Sequence, residues 1–302
     1  MAWLSLIFQV LIVGTGGAVR LTGSGLGCPT WPRCTADSLV ATPEQGVHGV
    51  IEFGNRLLTF VLVLVAIAAF LAVVRFRRRR PDLFGLTIAL GLGIPAQAVL
   101  GGVTVLTGLN PYLVGAHFVV STILVVIATV FVVRVRRGGS TTIRATPPWF
   151  AVLVHVGSVL VAVTVLLGIL TTGSGPHAGD AQTPRNGFNS TTVQHLHSYP
   201  AYALFGLTLA LVAIAVVLRL QPIRRMLGGL LLVEIAQIVV GIVQARLGLP
   251  EILVGIHMVL ACVLVAAATA VELSLRVRTG DEGVVLRRPE TVETAVPART
   301  YR

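Results

Sequence analysis

The sequence predicts an all-α polytopic membrane protein, with eight transmembrane helices arranged as two tandem pseudo-symmetric four-helix bundles. Hydrophobic residues make up 55% of the 302 residues and charged residues only 12%, which is about half the charged share of an average soluble domain. Several apolar runs reach the roughly 20 residues that a helix needs to cross a bilayer. An internal repeat, in which matched positions lie 140 residues apart, divides the chain into two halves and sets the architecture.

The repeat is clearest in the segments that surround two histidines. Glutamine, glycine, a Gly-Leu pair and histidine recur in the same order in both halves: Gln97 and Gln237, Gly101 and Gly241, Gly108-Leu109 and Gly248-Leu249, His117 and His257. Both copies end on a histidine just inside a long apolar run. We therefore expect one helical half-protein to be present twice, with a potential ligand at the same place in each half.

The apolar runs predict where the eight spans lie. They are expected at about 2–19, 53–74, 83–106, 112–133, 149–171, 197–218, 226–246 and 252–275. The first run has no basic segment before it and its polar flank continues the repeat, so we expect a span and not a cleaved signal. The predicted organisation is an N-terminal four-helix half at 1–137, a C-terminal half at 138–277 and a disordered cytoplasmic tail at 278–302, which is polar and mixed in charge.

The basic residues predict the orientation in the membrane. The chain has a net charge of +11 and no lysine, so all 23 basic residues are arginine, and eighteen of them follow even-numbered spans. This asymmetry is the positive-inside pattern, which places both termini in the cytoplasm. The arginine clusters are short membrane-flanking loops, so we expect the lipid bilayer as surroundings and no nucleic-acid partner.

Four histidines lie near the starts of even-numbered spans, which enter from the outer side. They are candidate ligands in the outer third of the membrane or at its edge: His48, His117, His197 and His257. Histidine is a usual axial ligand of haem iron, and two can bind one iron from opposite faces. We expect His197 and His257 to form such a pair across the second bundle. His195 is the alternative to His197, because only one of two residues two positions apart on a helix faces the pocket.

The first half lacks a second histidine at the matching place. Aligning Glu52-x-x-Asn55 with Gln194-x-x-His197 needs an offset of 142, two more than in the later part of the repeat, and places Asn55 at the position of His197, across from His117; the plain offset of 140 would place His195 there. Asparagine is a poor ligand of iron, so this half is expected to hold a haem more loosely or to leave one axial position open. An open position suits a substrate better than a permanent cofactor, and the asymmetry points towards an enzyme.

The polar residues near the first-half site allow more than one interpretation. Glu52 is costly in hydrocarbon and by default marks function, but an ion pair with Arg56, four residues on, is the structural alternative. His48 lies at the mouth of its helix, where an interfacial role and contact with a substrate are both open. Cys28 and Cys34 lie in a predicted outer loop, where disulfides persist, and we expect them to be paired; two unpaired thiols are the alternative.

Several of these strings resemble the haem A synthase family, in an actinobacterial-like variant with Glu-x-x-Asn-Arg. The resemblance covers all eight spans and is most specific in the first outer loop; the matching strings are Val19 to Pro32, Glu52 to Arg56, Val193-Gln194-x-x-His197 and His257-Met258. It implies oxidation of the C8 methyl group of haem O to the formyl group of haem A, for assembly of terminal cytochrome oxidase. It also implies a multi-pass protein of the bacterial plasma membrane.

The resemblance implies a role for each candidate residue. Haem b would be a cofactor of the C-terminal half with His197 and His257 on its iron, because the Val-Gln-x-x-His string selects His197 over His195. Haem O would bind in the N-terminal half with His117 on its iron and Glu52 beside the reacting edge; Asn55, Arg56 and His48 would surround it. Cys28 and Cys34 match a loop cysteine pair found in part of the family. Haem O synthase, an electron-transfer partner and cytochrome oxidase assembly factors are the implied partners.

Two other functions remain as alternatives. A di-haem electron-transfer protein normally stacks its haems near both membrane faces, whereas all the candidate ligands here lie near one face. A transporter built from parallel repeats would contain no haem. The sequence therefore favours an enzyme over both alternatives.

Overall fold

The computed structural model describes residues 1–221 and 223–279, and these residues form eight long helices. The helices are α1 (Ala2–Leu21), α2 (Gly46–Val74), α3 (Pro81–Leu106), α4 (Pro111–Arg137), α5 (Pro148–Ser174), α6 (Ser190–Val217), α7 (Ile223–Arg246) and α8 (Glu251–Ser274). A short 3-10 helix at Pro43–Gln45 precedes α2, and two short strands are β1 (Thr142–Arg144) and β2 (Arg276–Arg278). All eight helices are long and apolar enough to cross a membrane, which confirms the predicted all-α polytopic class.

Helices α2 and α6 both begin well before the predicted spans, at Gly46 and Ser190. Their first turns carry polar side chains, so an apolar pattern does not detect them. Backbone signals nevertheless fix the start of α6, because the Asn189 side chain accepts a hydrogen bond from the Thr192 backbone N–H at 3.0 Å. The polar candidate residues therefore lie inside helices and not in loops.

Each half forms a closed ring of four helices. In the first half α1 packs on α2, α2 on α3, α3 on α4 and α4 on α1, and α5 to α8 repeat this order. The two rings meet where α8 packs against α1 and α4, and where α4 packs against α5. This arrangement agrees with the predicted pair of four-helix bundles.

Small residues let the two rings approach closely. A methyl group added at Gly115 of α4 would lie 2.7 Å from Ile169 of α5, and one added at Gly255 of α8 would lie 3.3 Å from Leu21 of α1. Gly115 and Gly255 are repeat-related, so a glycine at the same repeat position allows both of these contacts between the rings. Close approach through small residues is typical of helix packing in membranes.

The repeated Gly-Leu pairs end α3 and α7 in the same way. Gly108 and Leu109 have φ values of +62° and +59°, and Gly248 and Leu249 have +76° and +63°. The Leu109 N–H donates to the Thr104 carbonyl at 2.8 Å, as the Leu249 N–H donates to the Gln244 carbonyl at 2.8 Å. Left-handed residues after a helix satisfy its last carbonyl groups. The same cap sets the starts of α4 and α8, where the repeat histidines lie.

The two halves are tied together at the end of the bundle that carries the histidines. The Arg20 side chain of α1 donates from Nε to the His177 carbonyl at 2.7 Å and from Nη2 to the Thr172 carbonyl at 2.9 Å. The Gly25 N–H donates to the Gly179 carbonyl at 2.8 Å. The loop between α1 and α2 is thus bonded to the loop between α5 and α6.

The opposite end, which carries the arginine clusters, holds a second tie. Strand β1 pairs antiparallel with β2, with Ile143 opposite Val277, and Arg137 donates to the Leu273 carbonyl and to the Arg276 carbonyl at 3.0 Å. The disordered tail predicted at 278–302 is therefore wrong at its start, because Arg278 belongs to β2. Three-residue strands flanked by arginine are too short for a pattern to reveal. The rest of the predicted tail, from residue 280, lies outside the described residues.

Candidate functional site

A cavity of about 1330 Å³ lies between the helices of both halves and is the candidate site. We call it the central cavity. Its wall is mostly apolar and includes most of the residues that the sequence singled out: Glu52, Asn55, Arg56, His117, His197 and His257. Pockets for drug-sized ligands have volumes of about 300–1,000 Å³, so the central cavity has room for a large ligand or for more than one.

His197 of α6 and His257 of α8 face each other across the second half of the central cavity. Their ring centroids are 6.3 Å apart and the ring planes are inclined by 78°. A histidine nitrogen lies about 2 Å from a bound metal, so this separation leaves room for one metal atom between the rings. Nδ1 of His197 lies 2.9 Å from the Thr164 carbonyl, to which it donates. This bond leaves Nε2 of His197 as the nitrogen with a free lone pair.

Each ligand candidate packs against a glycine. A methyl group added at Gly168 would lie 3.0 Å from Cε1 of His197, and one added at Gly101 or Gly241 would lie 3.3 Å from Cε1 of His117 or His257. Gly101 and Gly241 are repeat-related, as are the histidines they face. The sequence showed these glycines in the repeat without revealing that they set the positions of the rings.

Gln237 lies beside the second nitrogen of His257. With its amide turned to donate, Gln237 is 3.0 Å from Nδ1 of His257, and its oxygen accepts from the Ala261 N–H at 3.2 Å. In the opposite orientation, the amide oxygen would accept a hydrogen bond from Nδ1–H of His257. Nε2 would then keep the free lone pair that can bind a metal. Gln97, the repeat partner of Gln237, donates to the His117 carbonyl at 3.1 Å.

His117 and Asn55 occupy the corresponding positions of the first half, and both line the central cavity. Nδ1 of His117 is buried and has no hydrogen-bond partner in the part of the chain that the structure describes. Asn55 is held by Thr15 of α1, whose hydroxyl donates to Oδ1 at 2.7 Å. The first half thus offers one imidazole and one amide where the second half offers two imidazoles.

Glu52 is both part of the cavity wall and an anchor for the first outer loop. Its carboxylate accepts from the Cys28 N–H at 2.6 Å and from Arg56 at 2.5 Å. Arg56 also donates to the Cys28 carbonyl at 3.0 Å and to the Thr30 carbonyl at 3.1 Å. Cys28 and Cys34 form a disulfide, which confirms the predicted pair. The ion pair that the sequence allowed is therefore present, and it holds the disulfide loop on the first turns of α2.

Two candidate histidines lie away from the central cavity. The exposed ring of His48 pairs with the Ser24 hydroxyl at 2.9 Å and is not part of the cavity wall. His195 is exposed and stacks on Tyr199 with ring centroids 6.5 Å apart. At the starts of α2 and α6, only some of the polar side chains face the central cavity.

The chain is similar to known proteins. The model of the COX15-CtaA family, described as cytochrome oxidase assembly protein, matches residues 1–269. The chain belongs to this family. A protein named Heme A synthase from Geobacillus kaustophilus is 38% identical over 112 residues, which are 37% of this chain and 34% of the relative. A second, from Lysinibacillus sphaericus, is 32% identical over 105 residues, 34% of each protein.

The matches to individual members of the COX15-CtaA family are partial. The matched part of this chain spans about a third of the length of the two relatives named Heme A synthase. A Protoheme IX farnesyltransferase from Thermus thermophilus is 35% identical over 109 residues, which are 35% of this chain but 17% of that protein.

This member of the COX15-CtaA family also carries a buried carboxyl group to which the sequence assigned no role. Glu234 of α7 is 3% exposed, and its Oε1 accepts from the Thr208 hydroxyl of α6 at 2.8 Å. Its Oε2 is buried without a partner in the described ranges. The repeat positions in the first half are apolar, Ile94 and Ala66, and pack in one cluster. A comparison of the two halves at these positions would have identified Thr208 and Glu234 as a polar pair that the first half lacks.

The apolar first-half pair predicts how stability responds to change at Glu234. Thr208→Ala alone should destabilise the purified protein by about 1–3 kcal/mol, because the buried carboxyl then loses its partner. The double variant Thr208→Ala, Glu234→Ile copies the first half and should recover most of that loss. Thermal unfolding in detergent measures both. A double variant less stable than Thr208→Ala would contradict this prediction.

Proposed function

We propose that the chain is a haem A synthase, which oxidises the C8 methyl group of haem O to the formyl group of haem A. Two successive hydroxylations, each a two-electron oxidation of the methyl carbon that adds one oxygen atom and exchanges its electrons with the electron-transfer partner, would give a geminal diol, which loses water to form the aldehyde. The partial matches to proteins named Heme A synthase support this class of reaction. The observation that carries the proposal is the asymmetry of the cavity, with His197 facing His257 in one half and with Asn55 and His117 on the wall in the other.

The second half would hold haem b as a resident cofactor on His197 and His257. The separation of the rings and the bond from Nδ1 of His197 to the Thr164 carbonyl suit two axial nitrogens. When bound, haem b supplies one-electron transfer, with a potential set by its axial ligands and by burial. Gly168 and Gly241 let the two rings pack close to the neighbouring helices, since a methyl group there would lie 3.0 Å from Cε1 of His197 and 3.3 Å from Cε1 of His257.

The first half would bind haem O as the substrate. His117 offers an imidazole to one face, whereas the Asn55 amide is a weak ligand for iron. One axial position is therefore left open. A substrate has to enter and leave, and a single strong bond to the iron is easier to break than two.

Arginine at the rim of the central cavity suits the carboxylate groups of a tetrapyrrole. Arg20 and Arg246 line the cavity near the ends of α1 and α7. The carbonyls of His177 and Thr172 hold the Arg20 guanidinium at this wall. Charge-assisted hydrogen bonds between guanidinium and carboxylate are strong and directional, so these side chains would orient the propionates towards the rim.

Glu52 would handle protons during the hydroxylations. Its two oxygens accept one donor each, from the Cys28 N–H and from Arg56. An ionised carboxylate has about four acceptor sites, so Glu52 can still accept a proton or position water at the cavity wall. Its ties to the loop hold it in one place while it does so.

The proposed setting is the bacterial plasma membrane, with both termini in the cytoplasm and the haem sites towards the outer side. The asymmetric arginine distribution supports this orientation. Haem O synthase would supply the substrate, and an electron-transfer partner and cytochrome oxidase assembly factors would complete the pathway.

The proposal predicts the tetrapyrrole content of cells that contain both the chain and a source of haem O. Haem extracted from these cells and separated by chromatography should include haem A. Cells that contain only the haem O source should yield haem B and haem O. A purified protein that carries haem b but yields no haem A would instead indicate a di-haem electron carrier, and a protein without haem would contradict both functions.

A further inference from the structure

We propose that Asn55, positioned by Thr15, donates a hydrogen bond to a diatomic ligand bound on the open face of the substrate haem. The inference rests on the proposed function, because it deepens the role of the first-half site. The ligand class is a small molecule with an outer oxygen atom, of which dioxygen is the natural member. Asn55 would contact this ligand, and Thr15 would act as a positioning residue.

The contact between Thr15 and Asn55 fixes which end of the amide faces the cavity. The Thr15 hydroxyl donates to Oδ1 of Asn55 at 2.7 Å and lies 3.2 Å from the Ile12 carbonyl. A hydroxyl has one proton, and the shorter contact to Asn55 takes the larger share of it. With Oδ1 bound to Thr15, the amine Nδ2 is the end of the amide left for another partner.

Nδ2 of Asn55 lies at the cavity wall beside a glycine of α1. Gly16 follows Thr15 on α1, and a methyl group added there would lie 4.0 Å from Nδ2. Gly16 and Asn55 both line the central cavity. Within residues 1–221 and 223–279, the Asn55 amide makes its hydrogen bond through Oδ1. The amine is therefore a donor at the cavity wall.

In the second half, a proposed haem ligand occupies the repeat position of Asn55. His197 sits at the repeat position of Asn55, bonds to the Thr164 carbonyl through Nδ1 and reaches within 6.3 Å of the His257 ring. The asparagine side chain is shorter than an imidazole. The first half thus has, on the wall of the same cavity, one imidazole and one shorter side chain with an N–H donor.

This combination is the arrangement that favours a bound diatomic ligand. In haem proteins the hydrogen-bond donors and the steric access on the side opposite the axial histidine decide how a small ligand binds. An amide donor stabilises the outer atom of such a ligand without closing the position itself. The closed second half, by contrast, offers no position for an external ligand.

Carbon monoxide tests the inference, because it binds only to a reduced haem with an open axial position. The purified protein loaded with haem O is reduced with dithionite and exposed to carbon monoxide, and the C–O stretching frequency and the affinity are measured. Asn55→Leu keeps the side-chain size but removes the donor, and Thr15→Val keeps the shape but removes the hydroxyl. Thr129→Val is the matched control, because it removes a buried threonine hydroxyl of α4 that bonds only to the Val125 carbonyl.

The wild type and Thr129→Val should bind carbon monoxide with the same C–O stretching frequency. Asn55→Leu should raise this frequency and weaken dioxygen binding about three- to ten-fold, as expected for one lost hydrogen bond, and Thr15→Val should shift both in the same direction by less. Asn55→His should lower carbon monoxide affinity at least ten-fold, because an imidazole then occupies the open position. The donor role is overturned if Asn55→Leu has the wild-type frequency, or if loaded wild type binds no carbon monoxide. Wild type that takes up no haem O would overturn the proposed function itself.

Discussion

Replacing His257 with alanine is expected to abolish the low-spin haem b spectrum of the purified protein. The His257 ring faces His197 at a centroid separation of 6.3 Å, and an iron held between them depends on both nitrogens for its low-spin state. Alanine leaves one axial ligand and a void beside Gly241. Haem A formation should fall below detection as well, because the proposed route for electrons passes through this site. Absorption spectra of the reduced and oxidised protein provide the measurement.

His195→Ala is the matched control for this experiment. His195 lies on the same helix as His197 but is exposed and stacks on Tyr199, so its removal should leave the spectrum unchanged. His197→Ala should behave like His257→Ala. If His257→Ala retained the full low-spin signal, the axial pair would have to be assigned to other residues.

Replacing Glu52 with glutamine is expected to slow conversion of haem O by about 10²–10⁴-fold, the range typical of a lost general acid–base group. Glutamine has nearly the same shape and keeps one oxygen that can accept from the Cys28 N–H, which now lies 2.6 Å from the carboxylate. The ion pair with Arg56 is lost, but Arg56 still bonds the Cys28 and Thr30 carbonyls, so the loop and its disulfide should stay in place. Haem content and thermal stability, measured beside the rate, separate loss of the proton acceptor from loss of the anchor.

Glu44→Gln controls for a general effect of removing a carboxylate near this loop. Glu44 lies in the 3-10 helix before α2, is exposed and does not line the central cavity. Conversion by this variant should match the wild type. Normal conversion by Glu52→Gln would exclude Glu52 from proton transfer and leave it as the anchor of the loop.

The sequence was sufficient for the helices because bilayer thickness imposes long apolar runs, and for their pairing because the repeat is written in identical residues. It was insufficient at the starts of α2 and α6, where polar side chains such as Glu52 and Gln194 interrupt the apolar pattern. It also missed the β1–β2 pair, since three residues give no usable alternation. Local pattern therefore located the spans but not the polar turns that extend them.

The candidate ligands were predictable for the same reason, because His117 and His257 stand at one repeat position. The contacts that define their surroundings were not. Thr15 meets Asn55 across 40 positions of sequence and the Cys28 N–H meets Glu52 across 24, and no periodicity links residues in different helices or in an irregular loop. Such contacts depend on how α1, α2 and the loop pack, which only the folded chain specifies.

The ties at both ends of the bundle have a mechanical consequence. Arg20 bonds the α5–α6 loop at one end, and Arg137 of the first half bonds the Arg276 carbonyl of the second half at the other. Rocking of one half against the other, the motion by which repeat-built carriers alternate their openings, would break both fastenings at once. We therefore expect the two halves to stay fixed relative to each other. A haem would then enter and leave through small movements of individual helices.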